Sequence, residues 1–133
     1  MRIVIDTNVI VSALFYGGHP DELLKQMLVD EIKVVASAEI VAEYKRTIQK
    51  FIQKANRDFK NITLTDVLRH IEIITPTSKI EVCRDKDDDK FIACAVDGKC
   101  IYIVSGDKDL LDVQTFNDIE IVTVREFMDK YYK

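Results

Sequence analysis

The sequence predicts an α/β protein, a three-layer α/β/α sandwich around a central parallel sheet of about five strands. Short apolar, β-branched runs recur along the chain, and stretches with helical spacing separate them; strands joined through helices pair in parallel. The runs are also nearly continuous in apolar residues rather than alternating, as strands buried on both faces require.

In order, RIVI (residues 2–5) is the first strand, and Asp6 caps a helix beginning near Val9. Leu23, Leu24, Met27 and Leu28 mark the next helix, and KVVA (33–36) is the second strand. Ser37 caps a helix over residues 38–54 whose apolar face carries Ile40, Val41, Tyr44, Ile48, Phe51 and Ile52. A helix follows Thr63, and IEIIT (71–75) is a third strand that runs into Pro76. Helical spacing returns from about Asp88 to Val96, before the strands CIYIV (100–104) and IEIVTV (119–124) and a last helix around Glu126 to Tyr131.

Four glycines, two prolines and no internal repeat leave no linker in the 133 residues, so a single domain over 1–133 is expected. Asp6 and Asn8 interrupt the first apolar stretch, and no run approaches the roughly 18 apolar residues of a membrane span. Cys83, Cys94 and Cys100 form no C-x-x-C pair and are expected as reduced thiols in a cytoplasmic protein. His19 and His70 are too few and too scattered for a histidine metal site. A net charge of −4 argues against nonspecific polyanion binding, unless bound cations cancel part of the acidity.

Ligands of a parallel sheet bind at the carboxyl ends of its strands. Asp6, Thr7 and Asn8 follow the first strand, and Ser105, Gly106, Asp107, Lys108 and Asp109 follow the fourth. Taken singly, Asp6 and Asp107 read equally well as helix caps or as functional acids. Two carboxylates at one sheet edge, however, repel each other unless a cation or proton lies between them.

Helix geometry sorts the aspartates of RDKDDDKF (84–91). At about 100° per residue, Phe91, Ile92, Ala95 and Val96 form an apolar face. Asp88 projects onto its centre, whereas Asp87 and Asp89 fall at its edges. Asp88 is therefore expected to point inward, where a lone carboxylate needs a partner. Asp85 is expected to cap the helix or support the site from outside, and Asp87 and Asp89 to face water. Glu43 lies one turn into the 38–54 helix, read either as a solvated acid or as the head of a stripe continuing through Arg46, Lys50 and Lys54. Carboxylates without nearby histidine or cysteine make an all-oxygen site suited to Mg2+ or Mn2+, one or two ions. The basic stripe would lead a nucleic-acid backbone into such a site.

The fragments VIDTNVIVSAL, AEIVAEY, DKDDDKFIACAV and YIVSGDKDLL, in that order, resemble the PIN-domain family, most closely its prokaryotic VapC-like toxins. The resemblance implies a Mg2+- or Mn2+-dependent endoribonuclease that cuts RNA by in-line attack of water, leaving a 5′-phosphate and a 3′-hydroxyl. Its four acids map onto Asp6, Glu43, Asp88 and Asp107. Asp109 and Asp85 match accessory acids, Asp109 as a further metal ligand, and Asn8 and Ser105 match polar positions that orient metal or acid. Arg46, Lys50 and Lys54 are the expected RNA-backbone contacts. A homodimer and a cognate antitoxin are implied as partners. The alternative is a noncatalytic PIN module that binds RNA or a protein. A haloacid-dehalogenase-like phosphatase would want an aspartate where Asn8 stands, and a receiver-like domain an acid after the third strand, where Pro76 stands.

Overall fold

A computed structural model describes residues 1–131. The elements run β1 (Arg2–Ile5), α1 (Thr7–Phe15), α2 (His19–Leu28), β2 (Lys33–Ser37), α3 (Ala38–Ala55), α4 (Leu64–His70) and β3 (Ile71–Ile74). After a 3-10 turn (Lys86–Asp88) come α5 (Asp89–Asp97), β4 (Tyr102–Val104), α6 (Lys108–Leu111), β5 (Thr115–Phe116), β6 (Ile119–Val122) and α7 (Val124–Tyr131). The sheet order is β3-β2-β1-β4-β6-β5, and every pairing is parallel except β5 with β6. The α/β/α sandwich and its parallel core are as the sequence predicts. The sixth strand is two residues long, too short to leave a periodic signal, and forms where Asn117 takes a left-handed turn (φ 53°) into β6.

Ile3, Val4 and Ile5 of β1 are all fully buried, so both faces of the central strand are covered. α5 packs across β1, β2 and β4, while α2 packs against α1, α4 and α7. The helix starts follow their caps: the Ser37 hydroxyl accepts from the Ile40 N–H at 3.2 Å, and Thr63 and Asp66 form a reciprocal capping box at α4. α1 begins at Thr7 rather than near Val9, because the Asp6 carboxylate accepts directly from the Thr7 N–H.

The chain builds β1, β2 and β3 outward to one edge and then returns to lay β4 on the other side of β1. That reversal is the topological switch point of the sheet, where parallel α/β folds open a crevice. Asp6 and Ser105 are the residues just beyond β1 and β4, and both stay on the ladder: the Asp6 N–H donates to the Val104 carbonyl and the Ser105 N–H to the Val122 carbonyl, each at 2.9 Å. Their side chains are thus fixed by sheet hydrogen bonds, not by a free loop.

Gly98 ends α5 where the helix meets the sheet. A Cβ there would lie 2.7 Å from the Cys94 carbonyl oxygen and 2.9 Å from Val35 Cγ1. Gly98→Ala is expected to destabilise the protein by about 1–3 kcal/mol through overpacking, read as a lower urea midpoint; an unchanged midpoint would show that α5 can shift away from β2.

Candidate active site

Asp6 is 4% exposed, and both its oxygens are occupied: Oδ1 accepts from the Thr7 N–H and Oδ2 from the Ser105 hydroxyl, each at 2.7 Å. Burial pushes its carboxyl above the usual range against the pull of these two donors, with Asp107 and Glu43 adding repulsion. Ser105 is fully buried, and its hydroxyl also accepts from the Asp107 N–H at 2.9 Å. One hydroxyl therefore couples the first acid to the turn that carries Asp107. Asp107 caps α6 by accepting from the Asp109 N–H at 2.8 Å. At both strand ends the cap and the site position coincide, because a helix that starts at the sheet edge needs an acceptor there.

Asp88 is 8% exposed, and its Oδ2 has no hydrogen-bond partner among the described residues. Burial pushes this carboxyl up to about 7, and Asp107, Asp85, Asp6 and Asp109 push in the same direction. Carboxylate oxygens of Asp85, Asp88 and Asp109 lie within 4.8 Å of one another. A buried oxygen without a donor is costly, and three converging carboxylates are costlier; a hard divalent cation would relieve both. The donor set is all oxygen, so these residues fit Mg2+ or Mn2+.

Asp85, itself exposed, caps the 3-10 turn by accepting from the Asp87 N–H at 3.0 Å, the capping place that was one of its two expected readings. Asp87 is largely solvated, its side chain 68% exposed. Asp89 departs from expectation: it is buried, and Oδ1 accepts from the Val82 and Cys83 N–H groups at 3.1 and 2.7 Å. Burial raises its carboxyl, but those donors and the Cys83 thiol outweigh it and hold the group below its usual range. The helical phase placed Asp89 at the edge of the apolar face; the returning segment before the turn, invisible to that projection, covers it.

Glu43 is held on both oxygens. The Thr7 hydroxyl donates to Oε2, and the Lys90 ammonium pairs with Oε1 at 2.7 Å. Lys90 is only 8% exposed and also meets the Asp87 carboxylate at 3.0 Å and donates to the Asp87 carbonyl at 2.8 Å. All three ammonium hydrogens thus have acceptors. The fully buried Tyr44 next to Glu43 donates to the Ile5 carbonyl, which fixes α3 against the end of β1. Lys90 and Thr7 were not singled out from the sequence. The i, i+3 spacing of Asp87 and Lys90 was a signal for the lysine's local partner, but not for Glu43, which lies in another helix.

Asn8 is exposed and makes no contact with the acids; it lines a hollow with Ser105 and Gly106 and the head of a groove between α1 and α3. Arg46, Lys50 and Lys54 are all exposed along α3.

A family model described as "PIN domain" matches residues 2–109, from β1 through the α6 turn. The chain belongs to the PIN-domain family. A relative, "Uncharacterized protein MJ1680" from Methanocaldococcus jannaschii, is 32% identical over 147 aligned residues, which cover 100% of this chain and 93% of that protein. PIN domains are typically nucleases that use divalent metals, and in this member the matched stretch contains every acid of the crevice. No helix among the described residues is long and apolar enough to cross a membrane.

Proposed function

We propose that this PIN-domain protein is an endoribonuclease dependent on Mg2+ or Mn2+, with Asp6, Glu43, Asp88 and Asp107 as its catalytic acids. The observation that carries the reading is the buried Asp88, whose Oδ2 has no hydrogen-bond partner among the described residues and whose carboxylate converges with those of Asp85 and Asp109. Asp88 and Asp109 would hold the metal directly, with Asp85 supporting. Asp6, Glu43 and Asp107 complete the acidic wall. A bound divalent ion would supply the charge that polarises the scissile phosphate and the acidity that activates water. The chain's part is positional: Ser105 fixes the Asp6 rotamer, and Thr7 and Lys90 fix Glu43. Asn8, exposed and without a bond to the acids, would orient only groups that arrive with the metal or substrate. In the metal-free protein, burial and the neighbouring acids push the Asp88 carboxyl up to about 7.

Arg46, Lys50 and Lys54 would contact the RNA backbone leading to the acids. Arg46→Ala combined with Lys50→Ala is expected to weaken RNA binding and to lower the slope of log K against log salt by roughly one to two. An unchanged slope would remove this track.

The testing experiment is cleavage of a panel of structured and unstructured RNAs with Mn2+, Mg2+ or EDTA, repeated for Asp6→Asn. Metal-dependent cutting that leaves 5′-phosphate ends and disappears in the variant is expected. Cutting that survives chelation, or no cutting alongside tight RNA binding, would favour a noncatalytic binding module instead.

The motif order and size that resemble VapC-like toxins support a toxin held by an antitoxin and acting as a homodimer; a small DNA-binding protein encoded next door and a dimer mass in solution are the checks. The three free, buried cysteines, with Cys83 and Cys94 thiols pushed up to about 12 and Cys100 to about 11 mainly by burial, suit a reducing cytoplasm.

A further inference from the structure

Away from the acids the molecule has a basic, aromatic groove, although the chain as a whole carries a net charge of −4. It runs between α1 and α3, encloses about 650 Å3, and is lined by Asn8, Tyr16, Lys50, Phe51 and Lys54 among others, with no acid in its wall. One end opens at Asn8, two residues past Asp6. The other ends at Tyr16, about 12 Å further along α1 at the helical rise per residue.

Tyr16 is 54% exposed, unusual for a large aromatic side chain. Its ring stands edge-on to Phe51 at 5.7 Å, which in turn rests on the buried Phe15 at 4.5 Å, so it has a firm support. Asn56 ends α3 in a left-handed conformation (φ 50°), and the chain turns so that the Arg57 guanidinium lies 4.7 Å from the centre of the Tyr16 ring. Lys60 donates to the Tyr16 carbonyl at 3.3 Å. Arg57 therefore lies over one supported, half-exposed ring, Lys60 is bonded to that residue's backbone, and Lys50 and Lys54 share the groove wall with it, in a groove whose other end is at Asn8 on the first turn of α1.

A half-exposed ring flanked by a guanidinium and ammonium groups matches the physics of single-strand recognition: bases stack on an aromatic face while cations follow the phosphates. A duplex keeps its bases stacked on one another and cannot offer one to Tyr16. We infer that the α1–α3 groove is a subsite for unpaired RNA, with Tyr16 and Arg57 as its base-stacking platform, a few nucleotides from the bond that is cut. The inference rests on the ribonuclease reading for the identity of the polymer and selects its unpaired form.

The chain contains no tryptophan, so Tyr16→Trp places a single indole reporter in the groove. With EDTA present to prevent cutting, a short unpaired RNA is expected to quench its fluorescence saturably, and the same sequence annealed into a duplex to bind at least about tenfold more weakly. Lys50→Ala with Lys54→Ala should weaken the quenching and reduce its salt dependence. In otherwise unaltered protein, Tyr16→Ala should raise KM for an unpaired substrate by about tenfold or more with little change in kcat. Equal quenching by the duplex, no quenching by either, or an unmoved KM would overturn the groove while leaving metal-dependent cleavage intact. Quenching only by the protein encoded next door would overturn it in favour of a protein partner. Failure of the nuclease reading looks different: RNA quenches the reporter, but unaltered protein cuts nothing with Mn2+ or Mg2+.

Discussion

Asp88→Asn is expected to abolish RNA cleavage and, at the same time, to stabilise the metal-free protein above neutrality. The activity loss follows from removing a cation ligand whose charge serves the transition state, an effect of several kcal/mol and so on the order of 10^3-fold in rate. The stability gain follows from linkage. In the unfolded chain the carboxyl titrates at its ordinary value of 3.8; in the folded protein it is pushed up to about 7, chiefly by burial. Below about pH 4 both states hold the proton, and Asp88 contributes no difference. Between about pH 4 and 7 the folded state holds more protons than the unfolded, so stability falls as pH rises. Above about 7 the full penalty is present, on the order of 4 kcal/mol for a rise from 3.8 to about 7. Asparagine carries no charge to bury and should escape that penalty, less the cost of its own unsatisfied amide. Denaturant melts in EDTA across this pH range are the check: the two proteins should converge near pH 4 and separate with Asp88→Asn more stable at about pH 8. Added Mn2+ should raise the unaltered protein's midpoint and leave the variant's in place. A variant that is less stable at every pH would mean that Asp88 is a structural residue.

Lys90→Met is expected to cost about 2–4 kcal/mol, because it leaves Glu43, whose side chain is only 18% exposed, without its cation in a wall of like charges. Methionine keeps the length of the stem, so the packing of α5 is largely preserved and the loss is electrostatic. Combining it with Glu43→Gln should recover part of the loss, with a coupling of roughly 1–3 kcal/mol in the double-mutant cycle. Simple additivity would instead mean that Lys90 acts on Asp87 and the turn alone. Lys90→Met should also draw cations to the Glu43 side, raising the amount of Mn2+ bound per chain, a change that loss of packing would not produce.

These two residues also mark how far the sequence can be read. Asp88 was legible because it is governed by a local rule: the phase of the apolar face of α5 sends it inward, and the structure buries it. Asp6, Ser105 and Asp107 were legible because they directly follow apolar runs, and strand ends of a parallel sheet gather at one edge. Lys90 was not, because its decisive partner is 47 residues away on α3, and no periodicity of α5 carries that information. Asp89 was misplaced for the same reason, its burial depending on the segment at Val82 and Cys83 that folds back over it. Glu43 remained ambiguous until α3 was docked through Tyr44 onto the end of β1. The groove beside Tyr16 was hidden too, although half of its basic wall lies in the Arg46, Lys50, Lys54 stripe. Arg57 reaches the ring only because of the left-handed turn at Asn56.

On the reading proposed above, the Asp88 oxygen that has no partner among the described residues is kept for a divalent cation. Calorimetric titration of Mn2+ into the metal-free protein at about pH 8, where Asp88 is ionised, tests it most directly. Saturable binding is expected, with affinity that falls as the pH is lowered through about 7 and that is lost in Asp88→Asn. Equal binding by the variant, or no binding by the unaltered protein, would contradict it.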